Sequence, residues 1–106
     1  MAMTPEGRVK DAIKKMLKAA GWYWFMPVSN GLGKHGIPDI IACKPTVITP
    51  DMVGQRVGLF VGIECKAPGK LGTVTPLQER ELEAIEAAGG IAVLADNPSF
   101  LEPYTS

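Results

Sequence analysis

This 106-residue chain has no excess of charge of either sign: eleven lysines and arginines are matched by eleven aspartates and glutamates, giving a formal net charge of zero. That balance argues against a broadly basic protein that coats nucleic acid, although it leaves room for a local basic face. Cysteine is scarce, with two residues, Cys43 and Cys65, too few and too far apart for a zinc cluster. No apolar run approaches the ~20 residues that span a bilayer, so no membrane partner is expected. The start, Met1-Ala2-Met3-Thr4-Pro5-Glu6, lacks a basic stretch followed by an apolar one, so no signal peptide is expected. Apolar residues make up 46% and charged ones 21%, the composition of a soluble globular domain. The length suits one domain over 1–106.

Local signals divide the chain into six elements. Thr4 caps a first helix, Pro5 suits its first position, and Glu6 complements the helix dipole in the first turn. Val9, Ile13, Met16, Leu17 and Ala20 form an apolar stripe at helical spacing, and Gly21 ends the helix. Lys10, Lys14, Lys15 and Lys18 read as a solvated face, with phosphate contact as the alternative. Trp22 to Val28 has strand character; core packing is its default role and base stacking the alternative. Ser29 to Gly36 is a loop with three glycines but not a phosphate-binding P-loop, because Val28 and His35 stand where that motif needs Gly and Ser or Thr.

Ile37 to Cys43 reads as a strand, with Pro38 confined to its first residues. Lys44 to Gln55 is a connecting excursion, with a short extended piece at Val47-Ile48. Val57 to Lys66 is almost continuously apolar, as a central buried strand should be. Thr75, Pro76 and Gln78 then form a helix start with a capping box; Leu77, Glu81, Leu82, Ile85 and Ala88 mark the inner side, and Gly89-Gly90 closes the helix. Ile91 to Ala95 is a last buried strand, and the tail allows one short turn near Phe100-Leu101. The order α-β-β-β-α-β predicts an α/β fold with a central mixed sheet flanked by helices. On regular strands Cys43 shares a face with Asp39, while Cys65 points away from Glu64 and Lys66. The two cysteines are therefore expected as separate buried thiols in a reducing cytoplasm.

The chemistry concentrates in Glu64-Cys65-Lys66. Residues i and i+2 of a strand share a face, so an acid and a base stand side by side in an apolar run, where unpaired charge is costly. A divalent cation explains them, with a simple salt bridge between Glu64 and Lys66 as the alternative. Magnesium takes hard oxygen ligands, keeps several waters and is held by one or two carboxylates plus substrate phosphate. Asp39 and Glu64 are the candidate carboxylates, with the Cys65 carbonyl as a further ligand. Lys66 would orient or deprotonate a water, or offset negative charge on a phosphoryl group. His35, beside Lys34 in the glycine loop, and Lys70, in the loop after the Glu64 strand, are candidate phosphate contacts.

Gly36-Ile37-Pro38-Asp39 followed by Glu64-Cys65-Lys66 resembles the PD-(D/E)XK nuclease superfamily. With Glu6 on a first helix, Ala67-Pro68-Gly69, Thr75-Pro76-Leu77-Gln78 and a terminal Gly-x-x-Val strand, the chain looks like a standalone VRR-NUC domain of the kind some phages and prophages encode. The resemblance runs from about Glu6 to Leu94. It implies a restriction-endonuclease-like fold and a Mg2+-dependent endonuclease of branched DNA, with Mn2+ substituting, that cuts four-way junctions or flaps as a homodimer in a bacterial or phage-infected cytoplasm. It also makes Glu6 the helix-borne acid of the metal site and Gln78 the glutamine that follows the active strand. Cys65 departs from the usual aliphatic residue, and the connection from Asp39 to Glu64 is long; neither removes a functional group. A restriction-type or nicking nuclease on duplex DNA, and a non-catalytic DNA-binding subunit, are the competing readings.

Overall fold

Thr4 begins the first helix, α1 (Pro5–Ala20), by accepting a 3.0 Å hydrogen bond from the Gly7 N–H. Gly21 ends it at φ 75°, and the Trp22 and Gly21 N–H groups return to the Leu17 and Lys18 carbonyls at 3.1 and 3.2 Å. Only a residue that tolerates a left-handed backbone closes a helix this way. The computed structural model describes residues 3–28 and 36–105. Contacts gather the chain into two compact units, Met1–Lys44 and Pro45–Ser106.

In the first unit, β1 (Tyr23–Phe25) pairs antiparallel with β2 (Ile41–Cys43), matching Tyr23 to Cys43 and Phe25 to Ile41. Tyr23 and Phe25 share a face, their ring centroids 6.3 Å apart. The expected strand over residues 37–43 shortens to its last three residues, because Pro38 has no N–H to donate and Asp39 lies in a bend. Two features of α1 also depart from expectation. Val9, Ile13 and Met16 are exposed, whereas Lys10 and Lys14 are half-buried. For Lys10 the cause is visible: its ammonium reaches the carboxylates of Glu6 and Asp39, which draws its apolar stem down onto the protein.

The second unit is a β-α-β arrangement. β3 (Val61–Cys65) pairs in parallel with β4 (Ile91–Ala95), Val61 beside Ile91 and Cys65 beside Ala95, and α2 (Pro76–Ala87) packs against both. The ladder is framed by 2.8 Å bonds from the Ile91 N–H to the Phe60 carbonyl and from the Lys66 N–H to the Ala95 carbonyl. β3 is shorter than the apolar run that announced it, since β4 offers no partner to Val57, Gly58 or Leu59. It is not a fully buried strand: Val61 and Ile63 are exposed, and so is Cys65, expected as a buried thiol like Cys43. The half-buried positions are the alternate ones, Gly62, Glu64 and Lys66. The described residues thus form two two-stranded sheets, one antiparallel and one parallel, in place of the expected central mixed sheet.

α2 covers the face of β3 that carries Gly62 and Glu64. Ile85, Ala88, Val93 and Ala95 form the buried apolar centre of this unit. A Cβ on Gly62 would collide with Ile85 Cδ1, and one on Gly90 would come within 2.8 Å of Ile85 Cγ2. The stripe of α2 turned inward is therefore Gln78, Leu82 and Ile85, at i, i+4 and i+7. Leu77, expected on the inner side, lies one residue off that line and is 68% exposed. A 3-10 turn at Leu71–Thr73 precedes α2, and another at Pro98–Leu101 runs into a last short helix, α3 (Glu102–Thr105). Asp96 Oδ2 accepts the Gly69 N–H at 2.8 Å, tying the loop after β3 to the end of β4. Among the described residues, no helix is long and apolar enough to cross a membrane.

The Gly62–Ile85 contact yields a stability prediction. Gly62→Val should destabilise the protein by about 1–3 kcal/mol or more through overpacking. Ile85→Ala should cost about 2–5 kcal/mol as a cavity. Combined, the two should cost clearly less than their sum in urea denaturation, because the second removes the atoms the first strikes. Simple additivity would contradict the packing described.

Candidate active site

Glu64 and Lys66 project from the same face of β3 toward the start of α2. The Lys66 ammonium lies 3.6 Å from Glu64 Oε1, and the two side chains are 15% (Lys66) and 31% (Glu64) exposed. Gln78 joins them. Its Oε1 accepts a 2.9 Å bond from Lys66 Nζ, and its Nε2 donates a 2.7 Å bond to Glu64 Oε1. Both contacts to Glu64 fall on Oε1, so Oε2 is the oxygen turned from these partners.

The orientation of the Gln78 amide follows from its backbone partner. In the capping box of α2, Thr75 Oγ1 accepts the Gln78 N–H at 3.1 Å, and Gln78 Oε1 accepts the Thr75 N–H at 3.0 Å. A backbone N–H can only donate, so the amide oxygen must face it, and the nitrogen must then face Glu64. One side chain thereby caps a helix, accepts from a lysine and donates to a carboxylate. The helix start supplies the rigidity: Pro76 stands in the first turn, and Thr75 and Gln78 bind each other reciprocally.

The Cys65 carbonyl has a defined direction. In the parallel ladder, Phe60 and Lys66 bond to β4, and alternate residues of a strand use the same edge. Cys65, of the opposite parity, directs its carbonyl away from β4. Lys70 is exposed and sits in the loop that Asp96 tethers, just before the turn at Leu71–Thr73. Lys34 and His35 lie outside the described residues.

Glu6 and Asp39 belong to the first unit, where Lys10 connects them. Its Nζ is 3.7 Å from Glu6 Oε1 and 3.8 Å from Asp39 Oδ1. Asp39 sits in the bend before β2 rather than on the strand. Sequence reasoning grouped Lys10 with the solvated lysines; its spacing of four from Glu6 was the available signal, since Glu and Lys so placed meet on a helix. Asp96 was also missed, and no local pattern marks it, because its partner Gly69 is remote in sequence.

Glu6, Asp39 and Glu64 and the Cys65 carbonyl are all hard oxygen donors, which suits magnesium and excludes a soft-metal centre. Among the described residues, no three acidic, histidine or cysteine side chains are gathered as a ready-made metal cluster. Magnesium is commonly held by one or two carboxylates, with waters and substrate phosphate completing its shell. Compared with protein-family models, with curated proteins and with solved structures, the chain matches none.

The network makes two substitutions separable. Thr75→Ala removes a helix cap and should cost about 1 kcal/mol. Gln78→Ala removes the cap bond together with contacts to Lys66 and Glu64, and should cost about 2–3 kcal/mol. Equal costs by chemical denaturation would show that the bonds to the charged pair contribute nothing.

Proposed function

We propose that the chain is a Mg2+-dependent endonuclease of branched DNA, built on the restriction-endonuclease-like fold of the VRR-NUC domain and acting as a homodimer. The observation that carries this reading is the Glu64–Gln78–Lys66 network, in which an acid and a base are locked side by side on one strand. A mixed α/β chain with elements in the order helix, three strands, helix, strand is compatible with that fold.

Hydrolysis of a phosphodiester forms a bond from water oxygen to phosphorus and breaks the bond to the leaving oxygen; the water loses a proton and the leaving oxygen gains one. Negative charge grows on the phosphoryl group between these events. Lys66 is the group that offsets it, its ammonium held in place by Gln78 Oε1. Gln78 serves as a positioning residue, keeping Glu64 Oε1 and Lys66 Nζ in register. Glu64, through Oε2, and the Cys65 carbonyl are the cation ligands assigned to the second unit; Asp39 and Glu6 are those assigned to the first. A bound Mg2+ supplies Lewis-acid polarisation of the phosphoryl oxygen and acidifies a water. Lys70, Lys34 and His35 are assigned to phosphate contact.

Paired incision of a four-way junction needs two sites related by a two-fold axis, which a homodimer provides. Cleavage assays with four-way junction, flap and plain duplex DNA in Mg2+ or Mn2+ test the proposal. Branched substrates should be cut in preference to duplex, and Lys66→Ala and Asp39→Asn should each lower the rate roughly 10²–10³-fold. Wild-type rates in both variants would remove the site assignment. Preference for one duplex sequence would move the protein to the restriction-type class, and DNA binding without cleavage in any divalent metal would make it a binding subunit. A monomer mass by light scattering at assay concentrations would contradict the paired-incision mode.

A further inference from the structure

Large apolar side chains stand in water along the segment that joins β2 to β3. Val47, Ile48, Val53, Val57 and Leu59 are each between 53% and 85% exposed, and no charged residue occurs from Pro45 to Pro50. Single exposed apolar residues are ordinary, but a cluster of them in one segment marks an interaction surface. The segment is nonetheless ordered about a compact turn. The Met52, Val53 and Gln55 N–H groups bond to the Thr49, Pro50 and Met52 carbonyls at 2.9, 3.2 and 3.1 Å, and Gln55 Nε2 donates to the Asp51 carbonyl at 3.1 Å. A surface carried on an ordered turn loses little conformational freedom when it is covered.

We propose that this segment is the contact through which two copies of the chain associate about a two-fold axis. The inference rests on the homodimer of the proposed function and places its interface. Fully covered, side chains this exposed remove roughly 100 Å² each, so a two-fold contact buries about 1,000 Å², the size at which a specific interface begins. The rim is self-complementary: Asp51 and Arg56 carry opposite charges, and a two-fold contact presents the acid of each copy to the base of the other. The Thr49 hydroxyl donates to Asp51 Oδ1 and holds its carboxyl below the usual carboxylate range, which keeps it charged. Arg56 has no ion pair among the described residues. The exposed apolar stripe of α1, Val9, Ile13 and Met16, is flanked by Arg8, Lys15 and Lys18, so a second copy of itself would meet like charge.

Light-scattering mass of the full chain across a dilution series tests this without recourse to activity. Ile48→Asp would bury an unpaired charge in the contact and should raise the dimer dissociation constant roughly tenfold or more. Met16→Glu, at a similarly exposed apolar position on α1, should leave it unchanged. Arg56→Asp should weaken association, and adding Asp51→Lys should restore it, because the swap rebuilds the opposite charges. Circular dichroism melts establish that each variant is folded. If wild type is dimeric and folded Ile48→Asp associates equally well, the placement is overturned and the homodimer stands. Equal weakening by Met16→Glu overturns the placement too. A wild-type monomer overturns both, and leaves the apolar segment to a partner of another kind.

Discussion

Everything at the candidate centre depends on how closely α2 can lie on β3. Position 62 carries no side chain, and Ile85 fills the space that a Cβ there would need. That contact sets the height of the helix above the strand. Gln78 is two turns earlier on the same stripe as Ile85, and Glu64 is one alternation further along the same face of β3 as Gly62. The short approach at one end of the stripe is therefore what allows a 2.7 Å bond at the other. A helix held further from the sheet would still bury Ile85, but its Gln78 would not reach Glu64.

Each of these three carboxylates stands beside a lysine: Lys66 beside Glu64, and one shared lysine, Lys10, beside Asp39 and Glu6. The two lysines differ in how they are held. Lys66 is mostly buried and bonded to an amide whose orientation the backbone dictates, so its ammonium has a fixed place. Lys10, among the described residues, is held by two longer ion pairs, at 3.7 and 3.8 Å. A fixed cation suits stabilisation of charge that grows during a reaction. The local balance of charge thus carries more meaning than the net charge of zero.

Features with local causes were legible in the sequence. Thr4-Pro5 and Thr75-Pro76-Leu77-Gln78 announced both helix starts to the residue, and Gly21 announced the first helix end. Gln78 was recognised as a capping residue, and resemblance suggested a place for it near the acid and the lysine. Features set by partners distant in sequence were not legible. The apolar run from Val57 suggested a longer strand than β4 can pair with. Leu77 was the natural choice for the inner face of α2, but docking of Ile85 on Gly62 rotates Gln78 into that line instead. Cys65 alternates away from the covered face of β3 and so is exposed.

The proposed cation site centres on Glu64, which Gln78 links to Lys66 at the start of α2. Its most direct test is a Mg2+ titration of uniformly labelled protein followed by proton–nitrogen correlation spectra. The largest saturable shifts should fall on the backbone amides of Glu64, Cys65 and Lys66 and on the Gln78 side-chain amide, and should vanish in Glu64→Gln. Shifts spread over the exposed acids of α2, Glu79, Glu81, Glu83 and Glu86, and persisting in Glu64→Gln, would contradict it.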